Sequence, residues 1–359
     1  MGRLSAVYST IPGLLTHITG TVVTKDKMYG SSTQFQSWTF KDEHELAKLR
    51  FEVNCDFIEK FGKNMANMER VQHFLTTEEE HLMVRSYEHS LREFCKKFRD
   101  PRDSRIRMLP SVTTTAQHYF KRFYLYNSVM DYHPKEILVT CVYLACKIEE
   151  FFVTINDFVY NVRGDKKKAA EIILNNELQL TQELQFHLII HQPFRPVEGL
   201  LIDIKTRFPQ LRDPERLRPY IEEFLEKVNL TDAILLYAPG QIALAAVTNA
   251  VSRLGENLDH YVTDILFPDE QKQHLSVLIE AVRKIKKMVK NAEPPLADAV
   301  RREIEAKLEK CRNQQNNPNS SQYRAHFSEW DDDDLPIAAS PFNDDIGLGV
   351  ERIRSPSTY

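Results

Sequence analysis

The chain has 359 residues, 42% hydrophobic and 27% charged, enough to bury a sizeable core and to suggest two domains. A formal net charge of -4 and a pI near 6.3 argue against a protein whose main work is neutralising phosphate along a duplex and leave room only for weak nucleic-acid contact. Five cysteines (Cys55, Cys95, Cys141, Cys146 and Cys311) are odd in number and form no Cys-x-x-Cys pair, which disfavours a disulfide framework or a zinc site and suits a reducing nuclear or cytosolic compartment.

Gly is scarce at 11 residues, and apolar residues recur three and four apart, so the chain reads as all-α. Residues 4–24 are uncharged but broken by Pro12, Gly13, His17 and Gly20, so they lack the compact apolar run of a signal peptide or membrane span. No acidic residue precedes Asp26, which leaves an organelle-targeting reading open. Residues 1–40 are expected to be an extension without order. "KDEHELAKLRFEVNCDFIEKF" (41–61) carries Leu46, Leu49, Val53 and Phe57 on one stripe, an amphipathic helix followed by a connection to 75. "TTEEEHLMVRSYEHSLREFCKKF" (76–98) opens on a capping box, Thr76 or Thr77 with Glu79 or Glu80, and closes on Lys96 and Lys97, as the helix dipole prefers.

Pro101 and Pro110 bracket a charged loop, and helices are predicted from Pro110 to about Leu125, from Pro134 through "VTCVYLACKIEE", and at about 154–162 and 167–184. These five helices form a first unit, 76–190. "FHLIIHQPFRP" (186–196) reads as a linker into a second unit, 191–292. "YHPKEILVTCVYLACK" (132–147) overlays "YAPGQIALAAVTNAVS" (237–252), matching Tyr132 with Tyr237, Pro134 with Pro239 and Ala145 with Ala250, so the same helical unit occurs twice. A helix at 293–313 follows, with Leu296, Val300, Ile304 and Leu308 on one stripe. From 314 to 359 the acidic tail, with "QQNNPNSSQ" and "EWDDDDL", is too poor in apolar surface to offset chain entropy and is expected to be disordered.

Lys147 ends a helix that is apolar all round. A dipole-complementing lysine that reaches back to water accounts for it, but Glu149 and Glu150 have the wrong sign for a helix C-terminus unless the next helix begins at once or a partner supplies cations. The second copy has Ser252 where the first has Lys147, so the lysine is not needed to end this helix. Glu177, among Ile172, Ile173, Leu174, Leu178 and Leu180, is an ionisable group beside a packed face and calls for a partner. A surface shared by Lys147 and Glu177, on the first repeat only, is the candidate binding site.

These residues resemble the cyclin box: "LACKIEE" is similar to its central-helix motif, and Glu177 stands at the position of its glutamate in the fifth helix. With the duplicated five-helix unit, flanking helices, "HYFKRFYLYNSVMDYHP", "FHLIIHQPFRPVEGLLIDIKTRFP" and "EWDDDDL", the resemblance runs from Met28 onward and narrows to the H type within the cyclin family. It implies two tandem cyclin boxes, the first binding a kinase. It also implies that Lys147 and Glu177 hydrogen-bond to kinase backbone near its regulatory helix and that Phe186 packs on the same surface. The implied protein is a nuclear regulatory subunit of the CDK-activating kinase, also the kinase module of TFIIH. Its partners would be the catalytic kinase, a RING-finger assembly factor and the TFIIH core, with no cofactor, metal, membrane or sequence-specific nucleic acid.

There are departures. Lys121 stands where many cyclins place an aspartate that pairs with a first-helix arginine, and Glu79 or Glu80 is expected to reverse that pair. The first helix lacks the Met-Arg-Ala-Ile-Leu type patch of cell-cycle cyclins. Because "MYGSSTQFQSWTF" resembles the usual start of the family, residues 1–27 read as an extension the fold does not need.

His187 and His191 have metal-ligand spacing but sit beside prolines and apolar residues, so linker packing is expected of them. "HELAK" lacks the second histidine of a zinc-protease motif, and neither a Gly-rich phosphate loop nor a nucleophile elbow is present, so catalysis within the chain is not expected. The basic stretches 98–107 and 283–290 read as a solvated loop and a helix face. Ser340 and Ser355, each before proline in the tail, are candidate phosphorylation sites. Two other readings are a cyclin of the C type with another kinase, and a TFIIB-like grip on promoter DNA. The latter needs a coherent basic face that this mixed-charge chain lacks.

Overall fold

Helix start signals recur down the chain, and the computed structural model, which describes residues 29–267 and 274–323, uses most of them. Among the described residues there is no β-strand. The first unit comprises α4 (Thr77–Lys97), α5 (Pro110–Phe123), α6 (Pro134–Ile148), the short α7 (Ile155–Val159) and α8 (Lys166–Glu183). It is preceded by α1 (Thr33–Trp38), α2 (Glu43–Phe61) and α3 (Asn67–His73). The second unit runs through α9 (Phe194–Arg207), α10 (Arg218–Val228), one turn of α11 (Ala233–Leu236), α12 (Pro239–Arg253), a π-helical turn at Tyr261–Leu266 and α13 (Leu275–Lys290). Last comes α14 (Asp298–Cys311).

The capping-box choice is settled at α4: Thr76 Oγ1 accepts from the Glu79 amide at 3.2 Å, and the Glu79 carboxylate accepts from the Thr76 amide at 2.8 Å. α6 packs against α4, α5 and α8, and α12 packs against α9, α10 and α13. Both central helices are 15 residues long and begin on a proline, Pro134 and Pro239, in the register of the sequence overlay. Cys141, Val142 and Ala145 of α6, like Ala243, Ala245, Ala246 and Ala250 of α12, are fully or almost fully buried. A large side chain so placed contributes roughly 1.5 to 3 kcal/mol, while the small ones let neighbouring helices approach closely.

The flanking helices belong to these cores. Leu46 in the first turn of α2 and Phe40, three residues ahead of the helix, pack into the second unit's core, and Phe57 near the end of α2 packs into the first. α14 lies on α4 and α3 and places Ile304, Leu308 and Cys311 in the first core, while Val300, expected on the same stripe, is 42% exposed.

Two expectations of disorder are corrected. Within 1–40, residues 29–40 are ordered: Ser32 caps α1 by accepting from the Phe35 amide at 3.2 Å, and Tyr29, Gln34 and Trp38 are buried. Within 314–359, residues 314–323, part of a second compact unit, form a short 3-10 turn at Gln314–Asn316, where Asn317 Nδ2 donates to Gln314 Oε1 at 3.0 Å. Short polar side chains hold such turns without an apolar core. The targeting reading of the first 24 residues, the acidic "EWDDDDL" and both candidate phosphorylation serines, Ser340 and Ser355, lie outside the described residues.

Candidate partner-binding face

Lys147 emerges in the last turn of α6, just past the fully buried Cys146. The helix closes with the Phe151 amide on the Cys146 carbonyl at 2.9 Å and the Glu150 amide on the Lys147 carbonyl at 3.4 Å. This paired closure needs one left-handed residue, here Glu150 at φ 55°. Glu149 turns away from the helix carbonyls: its Oε1 accepts from Thr115 Oγ1 at 2.7 Å and from Gln192 Nε2 at 3.1 Å. Neither reason expected for these two glutamates is needed. The next helix does not begin until Ile155, and hydroxyl and amide donors from α5 and the linker satisfy Glu149.

Lys147 Nζ donates to both oxygens of Glu177 on α8, at 2.6 and 2.8 Å, and sits 4.8 Å from the centre of the Tyr143 ring. The lysine side chain is 46% exposed and the glutamate 20%, so the pair is open to a partner. An ammonium has a third N–H to give, and a carboxylate has lone pairs to spare, so together they can bind a carbonyl and an amide of another chain.

The surroundings are apolar. Ile173 and Leu180 are buried as expected of a packed face, but Leu174 and Leu178, assigned to that face from sequence, are 49% and 63% exposed. They sit three residues before Glu177 and immediately after it, so the ion pair has apolar neighbours pointing outward. α8 closes with the Phe186 amide on the Thr181 carbonyl at 3.0 Å and the Gln185 amide on the Gln182 carbonyl at 2.7 Å. Gln185 and Phe186 are left-handed, φ 54° and 58°, and the Phe186 side chain is 65% exposed. Phe152 and Ile189, singled out by no sequence signal, are also largely exposed. Exposed large apolar side chains grouped around a polar centre mark an interaction surface.

Glu150, Gln185 and Phe186 are the only non-glycine residues with positive φ among those described, and they lie where the two helices that carry Lys147 and Glu177 end. Strain of this kind is retained where the surroundings over-determine it. The second repeat closes its central helix in the same way, with the Glu256 amide on the Val251 carbonyl at 3.1 Å, but its left-handed residue is Gly255. Its counterpart of Lys147, Ser252, merely donates back to the Thr248 carbonyl at 2.8 Å. The site is therefore a property of the first repeat.

The expected charge reversal at Lys121 exists, but with other partners. Glu79 is committed to its cap and to Lys307 at 2.8 Å, and Glu80, buried, accepts from Ser128, with burial pushing its carboxyl up to about 7. Lys121 Nζ instead meets Glu88 Oε2 at 2.7 Å, with Asp232 of the second unit 3.7 Å away. Asp232 also takes both guanidinium arms of Arg50 at 2.9 Å, joining α2 to the second unit. The missed signal was Glu88 itself, which falls on the buried stripe Met83, Val84, Tyr87, Leu91.

His187 Nδ1 accepts from Trp38 Nε1 at 3.0 Å, and the His191 ring meets Tyr29 edge-on, so both imidazoles are engaged in packing. In the loop 98–107, Asp100 pairs with Arg102 and Asp103 with Arg105, at 2.8 and 2.9 Å. All five cysteines are free thiols. Among the described residues no group of three metal-ligand side chains occurs, and no helix is long and apolar enough to cross a membrane.

Comparison with known proteins matches two family models: the cyclin N-terminal domain over residues 63–189 and the cyclin C-terminal domain over 192–290. Cyclin-H of Xenopus laevis is 41% identical over 289 residues, 79% of this chain and 87% of that protein. A chain in the structure of the CAK complex of Chaetomium thermophilum bound to ATP-gamma-S is 26% identical, with a TM-score of 0.71, covering 90% of this chain and all of that one. A chain of the yeast TFIIK complex, 24% identical with a TM-score of 0.56 over 73% of this chain and all of that one, shares the fold.

Proposed function

The chain belongs to the cyclin family, and from that premise we propose that it is an H-type regulatory subunit that binds and activates the cyclin-dependent kinase of the CDK-activating kinase. The similarity to cyclin-H and to a chain of the CAK complex supports the type. Activation by a cyclin is conformational. Docking holds a mobile helix of the kinase inward, so that the kinase's own lysine and glutamate pair and align ATP. The chain supplies no catalytic group; it supplies a rigid face.

The observation that carries this reading is the Lys147–Glu177 pair, flanked on α8 by the exposed Leu174 and Leu178 and present on the first repeat alone. Lys147 and Glu177 would clamp kinase backbone, and Phe186 would pack against the regulatory helix. The same assignment places the protein in the nucleus with a RING-finger assembly factor and, through TFIIH, at RNA polymerase II.

The test is a pull-down with purified catalytic kinase, followed by a kinase assay, comparing the unaltered chain with Lys147→Ala and Glu177→Ala. Both variants should keep their helical circular dichroism and weaken kinase binding and activation together. Full binding and activation by both would overturn the assignment of the face.

A further inference from the structure

We infer that residues 29–40 form a clasp that holds the strap 185–192 in place and thereby positions Phe186 and Ile189 for the kinase. The inference rests on the kinase-docking reading of the face and adds a set of positioning residues to it.

The strap has no regular secondary structure beyond the closing turns of α8, so its backbone polar groups must find partners elsewhere. From beneath, α5 supplies two: Arg122 Nη1 donates to the His187 carbonyl at 3.2 Å, and the Tyr119 hydroxyl donates to the Leu188 carbonyl. The His187 and Leu188 amides turn back onto the Leu184 and Phe186 carbonyls at 2.9 and 3.0 Å, and the N-terminal segment serves His191. The Gln34 carboxamide serves one strap residue on both sides, with its Oε1 accepting from the His191 amide at 2.6 Å and its Nε2 donating to the His191 carbonyl at 3.3 Å. One side chain thus does what a neighbouring strand would do. Trp38 Nε1 donates to His187 Nδ1 at 3.0 Å, which fixes the tautomer of that imidazole.

These contacts are dry. Gln34 and Trp38 are 3% and 1% exposed, and Arg122 is fully buried. Its guanidinium faces the Trp38 ring at 5.0 Å, and its Nε and Nη2 have no partner among the described residues. Burial pulls the Arg122 pKa down to about 9. With no carboxylate paired to it among the described residues, the indole face is the compensation that keeps this cation inside and bonded to the strap.

The opposite edge of the strap carries Phe186 and Ile189, 65% and 72% exposed. Gln185 and Phe186 are held left-handed, a conformation that persists only under restraint from outside. The clasp bonds at His187 and His191 are that restraint on the C-terminal side. Beyond Trp38, the clasp is anchored by the Phe40 amide on the Leu235 carbonyl at 2.9 Å, in the second unit. The direction of Phe186 therefore depends on residues that precede both repeats.

The experiment uses full-length Trp38→Phe, which keeps an aromatic ring and removes the donor, and Gln34→Met, which keeps length and removes both hydrogen bonds. Hydrogen exchange is read at residues 185–191 in the kinase-free chain, and affinity for the purified kinase is measured alone and on Phe186→Ala and Lys147→Ala backgrounds. Each clasp variant should speed exchange in the strap and weaken kinase binding roughly fivefold, the net worth of about one hydrogen bond. On Phe186→Ala the further loss should fall below about twofold, because both changes remove the same interaction, whereas on Lys147→Ala it should persist. Equal losses on both backgrounds would mean a general structural role and would overturn the clasp. So would unchanged strap exchange in both variants while Phe186→Ala and Lys147→Ala still weaken binding. If those two substitutions themselves leave affinity unchanged, it is the docking face that is misassigned, and the inference falls with it.

Discussion

Lys121 Nζ lies 2.7 Å from Glu88 Oε2 with both side chains only 2% exposed, an ion pair sealed between α4 and α5. Burial pushes the Glu88 carboxyl up and the Lys121 charge pulls it back. Removing one partner leaves the other charged and dry, so Lys121→Met should destabilise the chain by roughly 3 to 5 kcal/mol in urea unfolding. Lys121→Met with Glu88→Leu should cost clearly less than Lys121→Met alone, since Asp232 retains Arg50. A double variant as unstable as the sum of the singles would remove the pair from this account.

Lys147 and Glu177 should behave in the opposite way. Their pair is partly open to solvent, so breaking it in the isolated chain should cost at most about 1 kcal/mol of stability. The same substitutions should nonetheless lower kinase affinity at least tenfold, or about 1.4 kcal/mol, because a partner's backbone is left without its donor and acceptor. Thermal melts and binding titrations on the same preparations separate the two effects.

Glu80 gives a pH dependence. Its folded pKa, about 7, lies above the ordinary 4.5, so the native state holds a proton the unfolded chain has released. That contribution is complete below pH 4.5 and is lost as pH rises through 7. His81, with a folded pKa lowered to about 4 from 6.5 by burial, runs the other way and loses stability as pH falls through that window. The readout is therefore the difference between the unaltered chain and Glu80→Gln. From pH 5 to pH 8 the variant should gain on the parent by roughly 2.5 kcal/mol, and parallel stability profiles would contradict a buried neutral carboxyl.

Glu150 occupies the position that Gly255 fills in the second repeat. Glu150→Gly should raise the melting temperature, with a gain of roughly 0.5 to 1 kcal/mol from relieved left-handed strain, net of glycine's greater chain entropy. A lower melting temperature would indicate that the Glu150 side chain does more than the backbone shows.

The duplication, the central helices and the pairing of Lys147 with Glu177 were legible because helical periodicity and a register between two copies are local patterns. Leu174 and Leu178 were read as core for the same reason: periodicity marks an apolar position and not whether this chain or another covers it. The partner of Lys121 was missed because a carboxylate on an apolar stripe looks like an interruption until the lysine opposite is placed. Bonds such as Trp38 to His187 and Arg50 to Asp232 join segments far apart in the chain, and no local pattern encodes them. That is why 29–40 read as disordered: beyond its own cap at Ser32, its place is set by distant partners such as His187, His191 and Leu235.

α2 and the residues leading into it span both cores, with Phe40 and Leu46 seated in the second and Phe57 in the first. On the ribosome this imposes an order of events. Phe40 and Leu46 emerge among the first segments, yet the core they join, with the Leu235 carbonyl that takes the Phe40 amide, comes almost two hundred residues later, a wait on the order of ten seconds or more at ordinary translation speeds. The nascent first repeat must therefore carry an uncovered greasy flank until its twin has been made, the stage at which a chaperone has most to protect.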